Sequence, residues 1–187
     1  MGELLPRQLF ATEPTIFRMD EKGQRTPDAN LCVHSDRALE IASANALRIA
    51  RKLRPTTSRY FFWGDDGQTW CRCSKCRALS DSDQALIFEN HLLRALRQLG
   101  PDASLAHLAY HNTIKPPVRI KPEPNIFLEF APIHRQYDLP YAQQIGPKVK
   151  DSLALLEANL KVFPAASAQG WNIGWMYRVF PSGVARR

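Results

Sequence analysis

Residues 59–76 read RYFFWGDDGQTWCRCSKC. Arg59 to Trp63 is an aromatic run of the kind that forms strands. Gly64 ends it, and a polar loop opens with two adjacent carboxylates, Asp65 and Asp66. Three cysteines follow in the same loop, Cys71, Cys73 and Cys76. An apolar strand that runs into a loop rich in reactive groups suits an α/β fold, because in such folds function collects where parallel strands end.

Working outward from that stretch, strands and helices alternate. Toward the amino terminus, residues 1–30 are loop-rich and punctuated by Pro6, Pro14, Gly23 and Pro27. Asn30 to Val33 reads as a short buried strand. Ser35 or Asp36 then caps a helix that runs to about Arg54, with Leu39, Ala42, Ala46, Ile49 and Leu53 at the helical period. Pro55 stops it. Toward the carboxyl terminus, Ser80, Asp81 and Asp83–Gln84 form a capping signal for a second helix. Leu86, Leu92, Leu93, Leu96 and Leu99 give that helix its buried face, and Gly100–Pro101 ends it. Ser104 to Tyr110 (SLAHLAY) and Asn125 to Phe130 (NIFLEF) are strands, separated by a proline-rich connection. A third helix is predicted from Tyr141 to about Val162, with Leu153, Leu156 and Leu160 on one face.

This order predicts an α/β fold: a partial TIM-type (β/α) barrel of parallel strands with crossover helices, about four or five strands present, over residues 1–169. A closed barrel of eight strands takes about 250 residues. The chain has 187, so the remainder of the parent barrel is expected to be missing from it.

Composition narrows the function. Hydrophobic residues at 44% and charged residues at 23% describe a globular chain rather than a disordered one. No apolar run approaches the roughly 20 residues of a membrane span. Met1 to Phe10 has no basic segment followed by an apolar one, so no secretory signal is read there, and a cytoplasmic location without membrane contact is expected. The net charge of +7 raises nucleic acid as a partner. The cations argue against it. Arg48, Arg51, Lys52 and Arg54 fall in the last turns of the first helix, where they suit its dipole. Lys115, Arg119 and Lys121 are spread through the proline-rich connection, and no basic block interleaves with aromatics.

Asp65 and Asp66 admit two readings. Glycosidic cleavage needs a proton donor for the leaving oxygen and a second group that stabilises or attacks the cationic centre, and two carboxyls at a strand end could supply both. Gly-Asp-Asp-Gly is also ordinary turn chemistry. The cysteines admit two readings as well. Cys71, Cys73 and Cys76, with Cys32 as fourth ligand and His34 as its substitute, suit one structural zinc ion in tetrahedral coordination. The other reading is four reduced thiols. Tyr110, His111 and Asn112 follow one strand, and His134 and Arg135 follow another, as candidate substrate-binding groups. Trp63 and Trp70 could stack on a sugar ring, or fill core. Asn90 and His91 lie within a helix and read as surface or capping neighbours.

Several of these segments together resemble a widespread bacterial family, the domain-of-unknown-function family 4838. They are Asn30–Leu31–Cys32, YFFWGDDGQTWCRCSKC at Tyr60 to Cys76, SDSDQ at Ser80 to Gln84, Leu105 to Tyr110 with Pro116–Pro117, and FLEFAPIHR at Phe127 to Arg135. The resemblance spans most of residues 13–165, and all four cysteines fall where the family pattern has them. It implies a glycoside-hydrolase-type barrel with a carbohydrate ligand. More distantly, Asp65–Asp66 is similar to the Asp-Asp pair that ends the fourth strand of barrel enzymes removing N-acetylglucosamine with substrate assistance. By that likeness Asp65 orients the acetamido group and Asp66 is the general acid. A non-catalytic, zinc-stapled binding or structural barrel remains the alternative.

The family resemblance also implies a buried strand like Leu-Glu-Tyr-Trp-x-Asp-Val-Ser near the end of the chain. Residues 170–187 instead read GWNIGWMYRVFPSGVARR, without strand or helix period. Trp and Met have single codons, TGG and ATG. If one base were lost just before Trp171, restoring it forces Glu at the Trp171–Asn172 join, Asp at Trp175–Met176 and Val at Met176–Tyr177. Permitted choices elsewhere complete Leu-Glu-Tyr-Trp-Met-Asp-Val-Ser. Residues 170–187 are therefore expected to be an aberrant, frameshifted tail. The gene decides this: the restored frame should stay open well past the present stop and encode further barrel elements, and an early stop in that frame refutes it.

Overall fold

The computed structural model describes residues 1–53, 55–133, 139, 143, 146–172 and 175–177, and among these lie three α-helices, several short 3-10 turns and five strands. Helix α1 spans Asp36–Leu53. Ser35 caps it, its Oγ accepting from the Ala38 N–H at 3.2 Å. Asp36 lies in the first turn and Arg51 and Lys52 in the last, matching the helix dipole. Its buried face is mostly small, with Ala38, Ala42, Ala46 and Ala50 beside Leu39, which lets α1 pack closely on α2, Asp81–Leu96. Helix α2 opens with a full capping box. Ser80 Oγ accepts from Asp83 N–H at 3.0 Å, and Asp83 Oδ2 accepts from Ser80 N–H at 3.2 Å.

The strands are β1 (Arg59–Tyr60), β2 (Ser104–Ala109), β3 (Ile126–Phe130), β4 (Gln169–Asn172) and β5 (Trp175–Tyr177). They lie in the order β1-β2-β3-β4-β5. The first four run parallel and β5 turns back antiparallel to β4. The result is a parallel half-barrel with helices, in line with the sequence. Strands β2 and β3 pair over five residues, from Leu105↔Ile126 to Ala109↔Phe130. All of β3 is buried, as expected of a parallel strand covered on both faces. Among the described residues no helix is long and apolar enough to cross a membrane.

Three segments depart from the sequence reading. Asn30 to Val33 is buried but stays outside the sheet. It meets the amino-terminal loop instead, with Cys32 N–H donating to Ile16 O at 3.0 Å and Arg18 N–H to Asn30 O at 3.1 Å. A buried loop leg and a buried strand have the same composition, and only the pairing partner separates them. Arg59 to Trp63 pairs with β2 through Arg59 and Tyr60 alone. Helix α3 spans Pro147–Leu160; Tyr141 and Ala142, where the sequence reading begins it, lie outside the described residues. Gly146, at φ 105°, and Pro147 at its first turn set its start. At the end of the sheet, Gln169 pairs with Glu129 and Gly170 with Phe130, and Gly170 pairs again with Tyr177; of the tail read over residues 170–187, residues 173, 174 and 178–187 lie outside the described ones.

The proline-rich connection between β2 and β3 has no ladder to satisfy its backbone, and α2 does that instead. Asp83 Oδ1 accepts from the N–H groups of Val118, Arg119 and Ile120 at 3.0, 2.8 and 2.9 Å. Two turns later, Asn90 accepts from Glu123 N–H and donates to Lys121 O, both at 2.9 Å. Burial of Asp83 opposes its charged form, but the N–H groups of Ile120 and Arg119, Ser80 and Val118 together outweigh it and hold the carboxyl below its ordinary value of 3.8. A carboxyl depressed in the folded state stabilises above its unfolded pKa and loses that contribution as pH falls. Asp83→Asn, which turns an N–H₂ toward the Ser80 donor, should cost about 2–4 kcal/mol in urea unfolding at neutral pH. The gap to wild type should narrow below about pH 4, and a gap of constant size through the acid range contradicts this role.

Candidate functional site

The loop that follows β1 is held by side chains rather than by the sheet. Asn30 is fully buried. Its Oδ1 accepts from Asp65 N–H at 2.7 Å, and its Nδ2 donates to Gln68 O and Thr69 O at 3.2 and 3.1 Å. Gly64 makes that approach possible: a Cβ there would lie 2.7 Å from Asn30 Oδ1 and 3.0 Å from the Trp70 ring. Gly67, at φ 63°, completes the turn. Asn112 Nδ2 donates to Gly67 O at 3.2 Å and ties the turn to the end of β2. Next to it, His111 holds a left-handed backbone at φ 47°, a strained conformation for a non-glycine residue and one that concentrates at functional sites.

A cavity of about 380 Å³ lies at the carboxyl ends of β2 and β3, where the chain after Tyr60 no longer pairs with β2. It brings together Trp63, Asp65, Asp66, Tyr110, His111 and Asn112, all read from the sequence as candidates. Trp70, from the cysteine loop, also lines it. Asp65 is 19% exposed and ion-paired to the Arg7 guanidinium. Asp66 is exposed. Tyr110 stands beside it, and burial together with the Asp66 carboxylate raises the phenol above its ordinary value. His134 and Arg135 lie outside the described residues. Asn90 is not in this site; it is committed to the proline-rich connection.

Sequence reasoning overlooked three buried ionisable groups. Glu89 of α2 lines the cavity, and its Oε2 is 2.7 Å from Nδ1 of the fully buried His107 of β2. Glu129 of β3 is 1% exposed. Burial pushes its carboxyl up to about 7, against the opposing pull of Gln169 and Arg59. The signal was available: each is a charged or titratable residue inside an otherwise apolar stretch, where such residues are rare unless paired.

Beside the cavity, the four cysteines converge. Cys32, Cys71, Cys73 and Cys76 are buried and free, and their sulfur atoms all lie within 4.8 Å of one another. Cys32 Sγ is 3.9 Å from both Cys73 Sγ and Cys76 Sγ. A tetrahedral ion with metal–sulfur bonds of about 2.3 Å would need sulfur–sulfur edges of roughly 3.8 Å. These four residues could therefore hold a metal ion. His34 stays outside the group of four, with Nδ1 3.2 Å from Cys76 Sγ. Outer partners are present too. Met19 N–H donates to Cys71 Sγ at 3.3 Å, and the Arg25 guanidinium reaches the same sulfur at 3.8 Å. Gln84 of α2 fixes the cysteine loop, accepting from Cys71 N–H and donating to Cys71 O, both at 3.1 Å. Hydrogen bonds from the Cys71 and Cys76 thiols, with help from Arg25, hold the Cys32 thiol far below its ordinary range, and the same bonding drives Cys76 upward.

Fold and site define a parallel half-barrel with a strand-end pocket and a thiol cluster stapling the pocket loop. The chain belongs to the family described as Domain of unknown function (DUF4838), whose model matches residues 1–161. No protein of curated function matches the sequence.

An ion held by four buried thiols should survive purification. Protein prepared without added metal should carry about one equivalent per chain. Cys73→Ser should lower both metal content and melting temperature, the latter by on the order of 10 °C. Metal-free protein of unchanged melting temperature would sink the assignment.

Proposed function

We propose that this chain is a carbohydrate-active domain of glycoside-hydrolase type, with the strand-end pocket as its sugar site. The observation that supports it is the joining of two neighbouring carboxyls with two tryptophans and a tyrosine in one cavity at the carboxyl ends of parallel strands. Sugars present apolar ring faces to aromatics and hydroxyl edges to carboxylates and amides. Asp66, exposed at the pocket beside Tyr110, is assigned as the general acid. Asp65, fixed in orientation by Arg7, is assigned to the substrate's acetamido group. Trp63 and Tyr110 would face a sugar ring, with His111 and Asn112, and His134 and Arg135 after β3, bonding its polar edge. The ion at Cys32, Cys71, Cys73 and Cys76 is proposed to be zinc in a structural role, because four thiolates leave it no open position. The remainder of the parent barrel would supply the facing wall, and neither nucleic acid nor membrane has a part.

One observation favours the second reading, a zinc-stapled barrel that binds or supports without catalysis. Asp65 already has a charge partner in Arg7, which is what a purely structural turn would show. Kinetics separate the two. With 4-nitrophenyl N-acetyl-β-glucosaminide and related aryl glycosides as probes, Asp66→Asn in the complete barrel should lower turnover by about 10²- to 10⁴-fold with the fold intact. Asp65→Asn should be nearly as damaging and should also weaken binding. Wild-type turnover in both variants selects the non-catalytic reading.

A further inference from the structure

Glu89 is a third carboxylate in the pocket, and the assignments above give it no task. It is 3% exposed and lines the cavity from α2. Burying a carboxylate is costly unless its oxygens find partners. One oxygen does: Oε2 is 2.7 Å from His107 Nδ1. The other, Oε1, makes no hydrogen bond among the described residues.

His107 holds its partner in one place. It is fully buried on β2, and its ring stacks on Phe163 with centroids 4.8 Å apart and planes 15° from parallel. Its Nε2 is buried and has no hydrogen-bond partner among the described residues. An N–H at that position would be an orphaned buried donor, which costs more than an unused lone pair. The tautomer that fits carries its proton on Nδ1 and donates it to Glu89 Oε2. Glu89 then accepts at Oε2 and keeps Oε1 for something else.

Oε1, unlike the orphaned His107 Nε2, is not closed off from solvent, and Glu89 lines the cavity, so a hydroxyl group entering there can reach it. The other two carboxyls already have tasks in the reading above, Asp66 as proton donor and Asp65 at the acetamido group, which leaves an acceptor for ring hydroxyls unassigned. We propose that Glu89 is a ligand-binding residue of this pocket, its Oε1 accepting from hydroxyl groups of a sugar, and that His107 is the positioning residue that fixes its orientation. This rests on the carbohydrate reading of the pocket and adds which group holds the hydroxyl edge.

The test is titration of the full chain with N-acetylglucosamine, galactose and mannose, followed by NMR. Glu89→Gln keeps the shape and still accepts from His107, but presents a donor where Oε1 accepted. It should weaken binding of the best of the three by about 10- to 100-fold, with an unchanged melting temperature. His107→Gln should also weaken binding. The double variant should bind no worse than Glu89→Gln, because His107 acts through Glu89. In labelled wild-type protein the Glu89 carboxyl ¹³C resonance should shift as the sugar is added, a readout that does not depend on any variant folding. Sugar binding by wild type with an unshifted Glu89 resonance, or with Glu89→Gln binding within twofold, overturns the proposal and leaves the carbohydrate site standing. Absence of binding by all three sugars to wild type overturns the carbohydrate reading and this proposal with it.

Discussion

The convergence of Cys32 with Cys71, Cys73 and Cys76 is the contact on which the rest of the site depends. The two legs of chain that carry these residues share no ladder. Residues 30–33 bond to the amino-terminal loop, and β1 contributes only Arg59 and Tyr60 to the sheet. Besides the four sulfurs, the long loop from Asp65 to Leu79 is fastened by the hydrogen bonds of Asn30 and Gln84, the ion pairs of Asp65 with Arg7 and of Arg72 with Asp81, and the buried Trp70 ring. A metal ion there would stabilise by cross-linking segments some 40 residues apart, from Cys32 to Cys73, and such closure gains most where the loop is long.

Helix α2 is the second organiser, and it works through polar groups on its buried side. Asp83 and Asn90 hold the proline-rich connection, Gln84 holds the cysteine loop, and Glu89 holds His107. The first three replace ladder hydrogen bonds that an irregular segment cannot make with another strand. Buried backbone must find partners somewhere, and in this half-barrel one helix supplies many of them. The leucines of α2 then seal the opposite contacts with α1 and the sheet.

Early divergence of β1 from β2 is what opens the pocket. Had Phe61, Phe62 and Trp63 continued the ladder, their neighbours on β2 would have closed the space that Trp63, Trp70 and Tyr110 now line. Gly64 is the fixed point of that departure, because its Cα packs where no Cβ fits against Asn30 and Trp70. Loop chemistry, more than the sheet, sets where Asp65 and Asp66 stand.

By itself the sequence determined the elements whose causes are local. Ser80 and Asp83 mark the start of α2 because a capping box is closed within four residues, and SLAHLAY and NIFLEF declare parallel strands because burial on both faces demands continuous apolar runs. Residue type and strand-end position also sufficed to nominate the cysteines and most of the pocket. Tertiary structure alone decided what depends on distant partners. Whether Asn30 to Val33 joined the sheet turned on competition from Ile16 and Arg18. That Cys32 rather than His34 completed the sulfur cluster turned on a few ångströms of side-chain placement. Glu89 and His107 sit 18 residues apart, on a helix and a strand whose periodicities say nothing of one another. Their meeting is fixed only when the crossover helix packs on the sheet, since a side-chain pair formed by packing leaves no spacing rule in the chain.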